Sequence, residues 1–287
     1  MASTQANLGW LHLVTQADQE PYLRLKIHRP WLRTSTKLSP QLRRVERRLK
    51  TSTHNMSFAK AVLYEKADMH DEFAAEMRTI VQESDGEPDK TEQKMLSNAY
   101  KNVVGKMRAS WRAVVAIEEK LGQDDPRKNL TAKYLAHIVQ ELTTKCKELL
   151  ALLEDDLIPK LTKPEAKVFF LKMKGDHLRY LVEVANEEED ENLTELKSKS
   201  KAAYKESERL AEEHLSPTHP FRLGLALNFS VFHYEVENSQ ESAYEMAKKA
   251  FDNAIPLLDQ LNEDEADDVT TIMQLLRDNL TFWSEEI

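Results

Sequence analysis

Lys101, Arg108 and Arg112 stand at intervals of seven and four residues in a stretch without proline. At 3.6 residues per turn those intervals put all three on one face of a helix. A second stretch offers Lys172, Asp176, Arg179 and Tyr180, again on one face, with Asp176 about one turn before Arg179 and Tyr180. A carboxylate there can orient the guanidinium. Arginine grips phosphate oxygens bidentately and stays charged, and a tyrosine hydroxyl adds a donor. Two such faces turned together make a phosphate socket. Amphipathic helices also carry cations on solvated faces, so spacing alone leaves both readings open.

Two later stretches carry mixed faces. One presents Leu227, Val231 and Glu235 with Asn228 beside them; the other presents Thr271, Leu275, Asn279 and Phe282 with Trp283 adjacent. The apolar members suit a core. The asparagines suit it poorly, because a buried amide needs hydrogen-bond partners. A groove in which they bond a peptide backbone fits them better.

Signatures of catalysis are missing from the sequence. It has no phosphate-cradling glycine loop, no HExxH and no GxSxG. The single cysteine, Cys146, excludes an internal disulfide framework and reads as a small buried apolar residue in a reducing compartment. Acid clusters at Glu187–Glu191 and at Asp264, Asp267 and Asp268 could hold magnesium, but they fall at helix ends or in loops, where solvated acids are ordinary. No enzyme activity, metal or cofactor is expected.

The elements that must carry these faces read as helical. Six glycines and ten prolines are few for 287 residues and leave long stretches uninterrupted. An N-cap residue followed three places later by Glu recurs at Asp89, Thr162, Asn192 and Asn262, while Ser216-Pro217 and Ser239 give two further starts. The pattern predicts nine helices, near 58–69, 71–84, 90–122, 128–157, 164–187, 192–212, 217–236, 240–258 and 264–284. Pro256 breaks the rule inside the eighth, which must end near Ile255 or kink there. Short connections predict antiparallel neighbours.

Charge divides the chain. Residues 1–56 carry a net +7 and the remainder −16, which gives the overall −9. The first part holds Trp10, Trp31 and the run Arg43, Arg44, Arg47, Arg48 and Lys50 without helical periodicity, and reads as a poorly ordered basic extension. Residues 57–287 read as one helical domain. An acidic body argues against bulk nucleic-acid binding, and no apolar run is long enough to span a bilayer.

Four stretches are recognisable: LSNAYKNVVGKMRASWR from Leu96, VFFLKMKGDHLRYLVEVA from Val168, PTHPFRLGLALNFSV from Pro217, and TIMQLLRDNLTFW from Thr271. In these the chain resembles the 14-3-3 family over roughly 58–286. The resemblance implies an all-α fold of nine antiparallel helices, paired into a W-shaped dimer with two amphipathic grooves. It places Lys101, Arg108, Arg179 and Tyr180 at phosphate-binding positions and Asn228 and Asn279 at positions that hold the ligand backbone. Lys172, Leu227, Val231, Glu235, Leu275 and Trp283 fall at other groove positions. The implied dimer interface comprises Leu63, Ala67, Met69, Glu72, Ser110, Val114, Tyr134, His137 and Glu141.

The sequence departs from the family pattern at His177 and Leu178, where an aromatic pair is usual, and at His233, Thr271 and Phe282. Met69 stands where a base commonly faces the acid at Glu141, and His137 replaces a lysine opposite Glu72. The implied function is that of an adaptor that clamps phosphoserine or phosphothreonine segments of client proteins, as a homodimer or heterodimer, in the cytoplasm, with the nucleus as a second compartment. The alternative is a helical scaffold indifferent to phosphate. Neither nucleic acid nor membrane is an expected partner.

Overall fold

The computed structural model describes residues 53–84, 87–185, 191–261 and 263–285. The described residues contain nine α-helices and no strand. These are α1 (Thr53–Lys66), α2 (His70–Glu83), α3 (Lys90–Glu118), α4 (Arg127–Ala151), α5 (Pro164–Val184), α6 (Leu193–His214), α7 (Pro220–Glu235), α8 (Gln240–Ala254) and α9 (Glu263–Ser284). They fall into two compact units, Met1–Arg112 and Ala113–Ile287, with the division inside α3. Most of the expected basic extension, including Trp10, Trp31 and the arginine run, lies outside the described residues, as do Glu187–Asp190 of the first acid cluster.

In the first unit α1 packs on α2 through Phe58, Ala61, Phe73, Met77 and Ile80, all buried. The turn between them passes through Asp68 at φ 57°. Aspartate tolerates this left-handed conformation better than most residues. The start of α3 follows the capping rule fully. Asp89 Oδ1 accepts from the backbone N–H of Thr91 and Glu92 at 2.8 and 2.9 Å, and Glu92 Oε2 accepts from the Asp89 N–H at 2.8 Å.

Other starts differ from the sequence reading. Thr162 does not cap α5; Lys163 is the N-cap and Pro164 opens the helix. Proline's fixed φ and missing N–H suit the first helical position, which makes Lys163 the N-cap and puts Thr162 one residue outside it. Asn192 stands at the N-cap of α6 but in helical conformation, without a side-chain cap bond. α7 begins at Pro220 rather than Pro217, because the residue before a proline is driven out of the α region. That residue, His219, is extended at ψ 128°, and its Nδ1 accepts from the Phe221 N–H at 3.1 Å. α8 ends at Ala254, and Pro256 lies in a 3-10 segment, Ile255–Gln260, so the helix stops instead of kinking. α4 is shorter than expected. It passes into a π turn at Leu152–Leu157 and a 3-10 turn at Ile158–Lys160, which keeps Leu152, Leu153 and Leu157 buried.

In the second unit α5 and α6 lie closest. Small residues on α6 permit the approach, and two buried serines exploit it. Ser200 Oγ donates to the Gly175 carbonyl and Ser207 Oγ to the Val168 carbonyl, each at 2.9 Å. Buried hydroxyls are thereby satisfied on backbone oxygens of the neighbouring helix. Gly175 has no Cβ for a structural reason: one built there would stand 2.8 Å from Tyr204 Cε1. The Tyr204 ring fills the space, stacked at 17° on Phe229, within a cluster that includes Val168, Leu225 and Phe232.

Candidate functional site

α5 presents the second cation face as its spacing predicts, but as a buried one. Asp176 and Arg179 are 6% and 3% exposed, and Tyr180 is buried. A buried charge is strongly disfavoured unless paired and hydrogen-bonded. Here each is. Asp176 Oδ2 accepts from Lys172 Nζ at 2.7 Å. Its Oδ1 accepts from the Tyr204 hydroxyl at 2.6 Å and from Asn228 Nδ2 at 2.8 Å. Arg179 Nη1 donates to Glu235 Oε2 at 3.0 Å and Nε donates to the Tyr204 oxygen at 3.3 Å. The guanidinium lies over the Tyr180 ring, 5.0 Å from its centroid.

This corrects one detail of the sequence reading. Asp176 does not hold Arg179 by a direct bond, since Arg179 Nη2 comes no closer than 3.9 Å to Asp176 Oδ1. The Asp176 oxygens are already engaged by Lys172, Tyr204 and Asn228. The link to Arg179 runs through the phenol of Tyr204, a residue on α6 that the spacing rules did not select. A signal for it does exist. Tyr204 shares a buried stripe with Ser200, Ala203, Ser207 and Ala211, and a phenol in such a stripe needs a hydrogen-bond partner.

The protonation states are fixed. Burial alone would push the Asp176 carboxyl up, but Lys172 and Arg179 outweigh it and hold the group below its ordinary value. Burial also works against the charge on Arg179, yet the Tyr204 oxygen and the Glu235 carboxylate raise it well above its usual range. Burial, followed by the Asp176 charge, pushes the Tyr204 hydroxyl well above its ordinary value. The phenol therefore stays protonated and donates to Asp176.

The remaining groove residues distribute as follows. Leu227 and Val231 on α7 are buried, and Asn228 and Glu235 half-buried. On α9 Leu275, Asn279 and Phe282 are half-buried and Thr271 is exposed. Trp283 is buried and stacks on Tyr234 at 5.5 Å. His177 and Leu178 are buried too, with His177 Nδ1 2.8 Å from the Met173 carbonyl, to which it donates. In the first unit, α3 carries Lys101 half-buried, Arg108 at 3% exposure and Arg112 half-buried. Of the acid clusters, Asp267 and Asp268 are exposed, as solvated acids are.

The residues expected at a dimer interface lie at the surface. Leu63, Met69 and Tyr134 are 68%, 40% and 52% exposed. Ala67, Glu72, Ser110, His137 and Glu141 are exposed, and Val114 is half-buried. His137 Nε2 lies 3.7 Å from Glu141 on its own helix, which gives that acid a partner within the protomer when the imidazole is protonated.

The molecule is thus an all-helical protein that holds a buried arginine, bonded at Nε and Nη1, on α5. The model of the family described as 14-3-3 protein matches residues 60–284. The chain is 48% identical over 227 residues to 14-3-3 protein beta/alpha of Homo sapiens and of Xenopus tropicalis, covering 79% of this chain and 91% of each relative. It is equally similar to 14-3-3 protein beta/alpha-1 of Oncorhynchus mykiss, 48% identical over the same shares. The chain belongs to the 14-3-3 family. It is thus an adaptor that binds phosphorylated Ser/Thr client proteins and pairs as a homodimer or heterodimer, and not an enzyme.

Proposed function

We propose that this chain recognises phosphate through Lys101, Arg108, Arg179 and Tyr180, and holds the client backbone through Asn228 and Asn279. Arg112, Lys172, Asp176, Leu227, Val231, Glu235, Leu275, Phe282 and Trp283 complete the groove. The observation that supports this most is the state of Arg179: buried, charged, gripped at Nε and Nη1, and with Nη2 beyond hydrogen-bond distance of Asp176. That edge suits an oxyanion, which charge-assisted bonds hold better than neutral ones. The helical domain is proposed at 57–287, preceded by the basic extension at 1–56, whose last residues from Thr53 already belong to α1. Leu63, Ala67, Met69, Glu72, Ser110, Val114, Tyr134, His137 and Glu141 form the pairing surface. The cytoplasm is the proposed place of work; among the described residues no helix is long and apolar enough to cross a membrane.

The test is titration of a phosphoserine peptide and its unphosphorylated twin against the wild type, Arg108→Ala and Arg179→Ala. The phosphorylated peptide alone should bind. Each substitution removes charge-assisted contacts contributing about 1.5–3 kcal/mol, a loss of roughly 10- to 150-fold, while the far-UV circular dichroism stays helical. Equal binding of the two peptides would instead favour the phosphate-independent scaffold, and an unchanged Arg179→Ala would remove this residue from the socket.

A further inference from the structure

We infer that Tyr204 is a positioning residue for phosphate recognition, fixing the Arg179 guanidinium without touching the ligand. The inference rests on the reading of Arg179 as a phosphate-binding residue. A guanidinium has five N–H donors in a rigid plane. Tyr204 takes the Nε donor and Glu235 one on Nη1, which leaves three for a ligand. With the Tyr180 ring beneath it, the plane is held at two edges and one face.

Tyr204 alone accepts from Arg179 and donates to Asp176, so it sets their separation. At 3.9 Å the two charges do not bond directly. Without the phenol oxygen, the aspartate and the guanidinium would be free to close on each other, and Nη2 would turn from a ligand toward Asp176. The ring has little room to drift, being fully buried and packed against Phe229 at 5.1 Å and Phe232 at 5.7 Å. Asn228 and Lys172 also bond Asp176, so the orientation of one phenol is shared with two proposed groove residues on separate helices. An arginine held in advance loses little rotamer freedom on binding, whereas a mobile one must be ordered by the ligand.

Tyr204→Phe keeps the ring and removes only the oxygen. It should weaken the phosphoserine peptide by roughly 3- to 10-fold, the equivalent of ordering one long side chain. Replacing Tyr204 by para-aminophenylalanine keeps a donor to Asp176 but accepts poorly from Arg179. It guards against a folding failure of the phenylalanine variant and should lose affinity to a similar degree. The discriminating measurement is a double-mutant cycle. Tyr204→Phe should have little further effect in an Arg179→Lys background, because lysine has no Nε edge to position, and its full effect in an Asn279→Ala background. Affinity within twofold of wild type, or equal losses in both backgrounds, would overturn the inference. An unchanged Arg179→Ala would strike instead at the phosphate reading itself.

Discussion

α4 and α5 lie in the same unit and break the same rule in opposite directions. α5 buries Asp176 and Arg179, while α4 leaves Leu130 and Tyr134 at 69% and 52% exposure. Ordinary packing would do the reverse in both. On α5 the buried charges are matched by Lys172, Tyr204, Asn228 and Glu235 from three helices, so desolvation is offset before any ligand arrives. On α4 Leu130 and Tyr134 sit on a helix whose first half is scarcely covered, two turns and one turn before His137. We propose that this face is completed by a second chain rather than by its own fold. Buried polarity marks the surface proposed for the ligand, and exposed apolarity the one proposed for the partner chain.

The contrast can be tested at its extremes. The largest effect is expected from Asp176→Ala. It removes the shared partner of Lys172, Tyr204 and Asn228 and leaves buried polar groups uncompensated, which typically costs about 3–5 kcal/mol. Chemical denaturation should show that loss of protomer stability together with loss of phosphopeptide binding. Near-wild-type stability would mean that the network is not the closed structure its distances suggest.

Tyr134→Asp should act on association alone. A fully buried large apolar side chain contributes about 1.5–3 kcal/mol, so the dimer constant should weaken by roughly 10- to 150-fold in sedimentation equilibrium. Thermal unfolding of the dilute protomer should barely move, since the side chain is exposed there. Should the dimer persist unchanged, the exposed face of α4 lies outside the pairing surface.

The smallest effect concerns pH and sets α5 against the half-buried His233 on α7. Burial lowers the His233 pKa below its usual 6.5, although Glu237, 2.8 Å away, pulls it upward; Lys201 and Lys205 lower it further. The folded state then resists a proton that the unfolded chain accepts. Stability from this group is full above about pH 6.5 and declines as pH falls through that value toward the folded pKa. Burial pushes Glu237 up, but Lys201 and His233 prevail and hold it low, so its contribution is lost at still lower pH. On α5 and its α6 neighbour, Asp176 is held low while Arg179 and Tyr204 are held high, so none of these three changes charge between pH 5 and 8. His233→Gln should therefore flatten the fall in unfolding free energy between pH 7 and 5. An identical slope in the variant would assign that fall to another group.

The helical class and the α5 face were legible because both depend on local spacing. Lys172, Asp176, Arg179 and Tyr180 share a face whatever surrounds them. The Asp89 capping box was legible for the same reason, its partners lying three residues apart. Thr162 and Ser216 misled because prolines a few residues on set the true starts through backbone sterics. The π turn after Ala151 left no local mark, being imposed by the burial of Leu152, Leu153 and Leu157. Tyr204 escaped because its partners are 25 and 28 residues away in the chain. The resemblance covered the groove positions by matching stretches of sequence, but said nothing of the phenol behind them.

The missing Cβ of Gly175 limits how this protein can be improved. Glycine within a helix is an engineer's first target, because alanine there ordinarily adds about 0.5–1 kcal/mol of stability. At this position the added carbon would stand 2.8 Å from the Tyr204 ring and lever the phenol away from Asp176 and Arg179. The helix is left at a weaker propensity so that a ring on its neighbour can lie flush against it. Selection for thermal stability alone would press on the same atom that recognition needs to be absent.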